Sequence, residues 1–246
     1  MIKLYDFMRV KFKFYPEERK INYTFNKYDI QGMIYSTLLD AGLSDIHYGN
    51  KIKFFSFSDI FPNNIIKFEQ LYNMVISSPD PRFIEGIYNV LSSNKFFYLY
   101  SHKFNIAEIK KFDLRISKSF ITGSPVVLYL NNRINKYFSI QNGDSIAFFL
   151  RRLKENAIKK FTTFYKEDIM INHLLFDKLQ FHREVSLKLI KNGKEFNIIG
   201  STWYKLDLNH LTGKEIKFYK FLMDAGIGEK NSLGFGFINP VIANGQ

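Results

Sequence analysis

The chain contains no cysteine in its 246 residues, which excludes disulfides and thiolate metal sites and fits a reducing, cytoplasmic setting. No apolar run approaches the roughly 18 residues that a membrane-spanning helix requires. The opening stretch MIKLYDFMRVKF carries charges where a signal peptide has its apolar region, so neither membrane insertion nor export is expected. HExxH, EF-hand and clustered-carboxylate patterns are also missing, so a metal-dependent nuclease would lack its ligands and no cofactor is expected. Acidic residues are outnumbered: 35 Lys and Arg against 23 Asp and Glu leave a net charge of +12. That excess points to a polyanionic partner, nucleic acid first, although an AT-rich coding sequence would also raise the lysine count.

Aromatic residues, by contrast, are abundant, with 27 Phe and 15 Tyr, and 46% of the chain is hydrophobic. This is material for one or two buried cores and excludes a disordered chain. Alternation in MRVKFKF places Met8, Val10, Phe12 and Phe14 on one side of a strand, and Arg9, Lys11 and Lys13 on the other as a basic, phosphate-tracking stripe. Ile30, Met33, Ile34, Thr37, Leu38 and Ala41 recur at helical spacing, with Asn26 or Asp29 as the cap and Gly42 at the end. Strand-like runs at 53–58 and 71–77, a helix from Pro81 over 81–93 and a strand over 95–104 complete a β-α-β-β-α-β order.

The second half repeats that order, with strands at 125–130, 184–191, 201–208 and in the final GFGFINPVI, and helices at about 144–166 and 213–226. The predicted architecture is α+β, two tandem ferredoxin-like domains of the kind shared with RNA-recognition motifs, over residues 1–116 and 117–246. On the long second-half helix, Arg151, Arg152, Lys154, Lys159 and Lys160 spread over the sides away from the apolar stripe, which reads more readily as a solvated face than as a groove. Trp203 faces away from its apolar neighbours, to stack a base or to pack.

Four glycines fall within GIGEKNSLGFGF, at positions 226, 228, 234 and 236. Neither phosphate-binding glycine signature fits. Asn231 stands where the dinucleotide fold needs its third glycine, and Gly234-Phe235-Gly236 is not the Gly-Lys-Ser/Thr of a P-loop. Of the five histidines, only His47 lies in a loop rich in polar and basic groups, SDIHYGNKIK. Imidazole accepts or donates a proton near neutrality, which suits acid–base catalysis. His173 has Asp177 four residues on, a spacing that reads as structural. Tyr35 lies about 130° from the centre of its helix's apolar stripe at 100° per residue, so its hydroxyl need not be buried.

GIGEKNSLGFGF resembles the carboxy-terminal glycine-rich loop of the CRISPR repeat-RNA processing endoribonucleases of the RAMP superfamily. DIQGMIYSTLLDAGLSDIHYGNKIKFFSFS, residues 29–58, is similar to that family's first helix, histidine loop and following Lys-aromatic strand. The resemblance implies metal-independent cleavage of precursor CRISPR RNA within repeats, a ribose 2′-hydroxyl attacking the adjacent phosphate to leave a 2′,3′-cyclic phosphate and a 5′-hydroxyl. It implies His47 as the acid–base group and Lys53, with Lys51 as its rival, as the cation on the phosphate; Tyr35, by its place on the helix, would orient the nucleophile or the histidine. It also implies that Gly226, Gly228, Gly234 and Gly236 bring main chain close to RNA, with Lys230, Asn231 and Ser232 assisting; the alternative is a turn joining helix to last strand. The expected partners are CRISPR repeat RNA and, beyond it, a CRISPR effector complex, with no membrane, for a chain that is a monomer or homodimer. A non-catalytic RNA-binding subunit of a CRISPR effector complex is the other reading.

Overall fold

In the structure, a computed structural model describing residues 8–47, 52–62, 65–191 and 193–241, the chain divides into two units. The first is Met1–Asp113 together with Ser232–Gly234, and the second is Leu114–Asn231 together with Phe235–Gln246. A tripeptide from inside the glycine-rich run thus groups with the first unit, whereas the whole run was expected in the second domain.

The first unit runs β1 (Arg9–Pro16), α1 (Lys27–Asp40), the short α2 (Ser44–His47), β2 (Ser56–Phe57), β3 (Tyr72–Ser77), α3 (Pro81–Asn94), β4 (Phe96–Leu99) and β5 (His102–Phe112). Its sheet order is β2-β3-β1-β5-β4, antiparallel throughout, with Phe12 opposite Met74 and Ile109. Setting aside the added edge strand β4, the order β2-β3-β1-β5 is that of a βαββαβ ferredoxin-like sheet. Val10, Phe12 and Phe14 are fully buried, in one core with Ile34 and Leu38 of α1 and Ile84 and Ile87 of α3. Both residues expected to cap α1 take part. The Asn26 carboxamide accepts from the Tyr28 N–H at 2.8 Å, and the Asp29 carboxylate accepts from the Asn26 N–H at 2.7 Å.

Two expectations fail here. The single strand over 95–104 is a hairpin, because Tyr100 turns the chain at φ +55° between β4 and β5. Arg9 is 0% exposed, so it presents no guanidinium to a passing phosphate; β1 is the central strand, and alternation assigns a residue to a face without saying what covers it. Lys11 and Lys13 remain partly exposed, and Lys13 pairs with Glu108 at 2.6 Å.

The second unit contains β6 (Ser119–Thr122), β7 (Tyr129–Asn131), β8 (Lys136–Tyr137), α4 (Ile146–Tyr165), β9 (Lys178–Lys191), β10 (Lys194–Asp207), α5 (Gly213–Ala225) and β11 (Ile238–Pro240). The sheet order β11-β6-β10-β9 repeats the ferredoxin-like pattern. Its first strand is β6, which begins just inside the expected domain boundary at 116/117 and was not among the expected strands, whereas the expected strand at 125–130 makes isolated bridges through Val126 and Val127 before entering the β7–β8 ribbon. Trp203 is a core residue rather than a base platform, with its ring 5.3 Å from Phe149 and its indole N–H donating to Ser201 Oγ at 3.0 Å. Among the described residues no helix is long and apolar enough to cross a membrane.

Candidate functional site

Along α1, a polar line runs beside the apolar stripe at i, i+4 and i+8: Lys27, Gln31 and Tyr35. All three engage the glycine-run tripeptide that belongs to this unit. Lys27 Nζ donates to the Gly234 carbonyl at 2.8 Å and to Asp59 Oδ1 at 2.6 Å, and Gln31 Nε2 donates to the Ser232 carbonyl at 2.8 Å. Burial pushes the Tyr35 phenol up, against a side-chain hydrogen bond with Ser232 that pulls it down. Tyr35 is half-buried, its ring edge-on to Phe55 at 5.8 Å. Sequence reasoning missed Lys27 and Gln31, although their spacing from Tyr35 was a usable signal.

His47 closes α2, and the placement of its side chain lies outside the described residues, as does the whole of Lys51. Lys53 is described: its ammonium donates to the Ile46 carbonyl at 2.7 Å. A positive charge is therefore anchored at the residue preceding the histidine. Two of the other histidines make ion pairs of their own. His173 lies outside any helix, with Nε2 on Glu215 Oε1 at 2.6 Å, and that hydrogen bond raises its pKa while burial opposes the rise. His102 sits on Glu18 at 2.9 Å.

In the second unit, Gly226, Gly228 and Gly236 have φ of +81°, +69° and +67°, and all three are buried. A Cβ on Gly228 would lie 2.6 Å from the Val127 carbonyl oxygen, and one on Gly236 would overlap that of Ile227. Gly234, in the first unit, has φ +73°, and a Cβ there would run into the Phe57 ring. At Gly228, Gly234 and Gly236 the close approach is made by the chain itself. Among the run's main-chain donors, Ile227 N–H bonds the Gly236 carbonyl at 2.9 Å and Gly236 N–H bonds the Pro125 carbonyl at 2.8 Å. Asn231 is buried as well, its amide bonding the Ile227 and Phe235 carbonyls at 2.9 Å each. The turn reading thus accounts for the glycines and Asn231, leaving Lys230 and Ser232 as partly exposed members of the run.

Lys160, expected on a solvated side of α4, anchors that turn from within. Its ammonium donates to the Gly226 and Gly228 carbonyls at 2.5 and 3.1 Å and to Asn231 Oδ1 at 2.8 Å. Burial pulls its pKa down to about 7 against the attraction of Glu229.

The profile of the family described as CRISPR associated protein Cas6, C-terminal, matches residues 107–240, a span that takes in the glycine run. Over 241 residues the chain is 42% identical to CRISPR-associated endoribonuclease Cas6 2 of Methanocaldococcus jannaschii, a match covering 95% of this chain and 100% of the relative. The chain belongs to the Cas6 family. A solved CRISPR-associated Cas6 protein superposes with a TM-score of 0.70 at 20% identity, covering 96% of this chain and 99% of the other. A Cas6-related protein from Pyrococcus furiosus gives 0.71 at 18%, covering 97% and 100%. These likenesses carry the fold, two tandem ferredoxin-like units, and the Cas6 identity rests on the sequence match. Among the described residues of this Cas6 chain, no group of three or more His, Cys, Asp or Glu could hold a metal ion.

Proposed function

We propose that this Cas6 chain is an endoribonuclease that binds precursor CRISPR RNA and cuts it within its repeats, leaving a 2′,3′-cyclic phosphate and a 5′-hydroxyl. The observation that carries the reading is the match, over nearly the full length of both chains, to a relative described as an endoribonuclease. In the reaction, a ribose 2′-oxygen forms a bond to the adjacent phosphorus as the bond from phosphorus to the 5′-oxygen breaks. One proton leaves the 2′-hydroxyl and one is delivered to the departing oxygen. The nucleophile belongs to the substrate, so no metal-activated water is needed.

His47 moves a proton in this scheme, a role typically worth about 10²–10⁴ in rate. Lys53, held on the Ile46 carbonyl, supplies positive charge for the phosphorane-like transition state. Lys51 remains its rival in that role. Tyr35, braced by Ser232, orients the nucleophile or the imidazole. Of the groups named from the sequence for RNA contact, Lys230, Ser232 and Lys11 retain exposed surface for phosphate.

The test is incubation of the chain and its His47→Ala variant with the cognate repeat RNA in chelator. The expected result is a single cut with a cyclic-phosphate end by the parent chain, and binding without cutting by the variant. An unchanged rate in the variant removes His47 from the chemistry, and loss of cutting on chelation removes the metal-free scheme.

A further inference from the structure

A cavity of about 580 Å³ opens in the second unit between the β7–β8 ribbon and the first turns of α4. Its size falls in the ordinary range for a small-ligand site. Tyr129 and Phe148 line it with aromatic surface, and Arg133, Arg151 and Arg152 line it with guanidinium groups. The Tyr129 ring is fixed by stacking on Tyr137 at 4.8 Å and 24°, and Lys230 from the glycine run lies 5.3 Å over Tyr129.

Two carboxylates share the site and offset part of its positive charge. Glu229 is tied into the frame, accepting from the Tyr129 N–H at 2.6 Å and from Arg152 Nη2 at 3.0 Å. Glu155 stands 3.9 Å from both Arg151 and Arg152. The arginine side chains are unequal: Arg152 is half-buried and oriented, whereas Arg151 is 70% exposed and lies 5.8 Å over the Phe148 ring. Four cations against two anions leave an excess of positive charge around flat apolar faces. Planar apolar surface flanked by guanidinium suits a ligand that is flat and anionic at once, which is an unpaired nucleotide: a base for the rings and phosphates for the arginines. A paired duplex would offer the phosphates and withhold the base face.

We infer that this cavity takes one unpaired nucleotide of the RNA, with its base against Tyr129 or Phe148 and its flanking phosphates on Arg133 and Arg151. The inference rests on the RNA-processing reading above and adds a subsite to it. The arginine cluster, taken from the sequence alone for a solvated helix face, becomes one wall of that subsite.

The experiment compares the parent chain with the double variant Arg133→Ala and Arg151→Ala, both positions exposed and outside the core. The probe is repeat RNA carrying a single 2′-deoxy nucleotide at the cut position, in chelator, with Kd followed across a salt series. The expected result is a Kd raised at least about tenfold, with the salt slope reduced by about 1.4, two contacts at about 0.7 each on a single strand. Ultraviolet crosslinking should attach a nucleotide to Tyr129 or Phe148. Unchanged Kd and slope in the variant overturn the subsite while leaving RNA processing standing, and so do crosslinks confined to other residues. Duplex RNA competing as well as unpaired RNA overturns the assignment of a base to the cavity. Failure of the parent chain to bind repeat RNA overturns the functional reading on which the subsite rests.

Discussion

Gly236→Ala separates a glycine that serves the fold from one that serves RNA. At φ +67° an alanine costs about 1–2 kcal/mol in backbone strain alone. Its Cβ would also overlap the Ile227 carbonyl oxygen and stand 2.9 Å from Asn231 Nδ2, and a backbone oxygen cannot swing aside as a flexible side-chain end can. The turn must open, and the hydrogen bonds at stake are Ile227 N–H to the Gly236 carbonyl and Gly236 N–H to the Pro125 carbonyl. At about 1 kcal/mol net for each bond, the total is about 3–4 kcal/mol. For a protein of this size that corresponds to a fall in Tm of about 10 °C, read by circular dichroism or calorimetry without RNA. The control is Gly32→Ala, an exposed position inside α1 with nothing within 4 Å of a new Cβ, where alanine should stabilise by about 0.5–1 kcal/mol. An unchanged Tm for Gly236→Ala, with Kd for repeat RNA weakened, would refute the reasoning and return the glycine to the RNA.

Lys53→Ala should slow single-turnover cleavage about 10²-fold or more while Kd for the repeat changes little, because the ammonium is assigned to charge that develops in the transition state; a weakened Kd with unchanged rate would make it a binding residue. His173→Gln should give a pH-dependent loss of stability. The folded-state pKa is raised by Glu215, so the contribution is full below the unfolded value of 6.5 and is lost as pH rises through the raised one. The Tm gap between parent and variant should therefore be larger near about pH 6 than near about pH 9, and a gap that does not vary would show that the ion pair contributes nothing.

Helices were the most legible part of the sequence. α1 starts at its Asn26 cap and α3 at Pro81, whose fixed φ suits the first turn of a helix, and both leave a readable signature. Strands were harder, since a short one carries few residues to show a period: β6 has four, of which Phe120 alone is buried. The β4–β5 turn was invisible because Tyr100, neither Gly nor Asn, takes the positive φ. In the candidate site, Tyr35 was legible from its place beside the apolar stripe of its helix and Lys53 through its segment's resemblance, and the structure sets them against Ser232 and Ile46. The glycine run was legible as a feature but not in its purpose. Close approach demands a missing Cβ whether the visitor is a phosphate or the chain itself, and only the neighbours of Gly228, Gly234 and Gly236 decide between them. Lys160 was misread for a related reason: a lysine at the margin of an apolar stripe looks solvated until three oxygen acceptors are found around its ammonium.

In the proposed reaction the RNA supplies its own nucleophile. The most direct measurement is single-turnover cleavage, in chelator, of repeat RNA in which only the 2′-hydroxyl at the cut position has been replaced by hydrogen. This RNA should bind as the unmodified repeat does and remain uncut. Cutting at the same position and rate would contradict it.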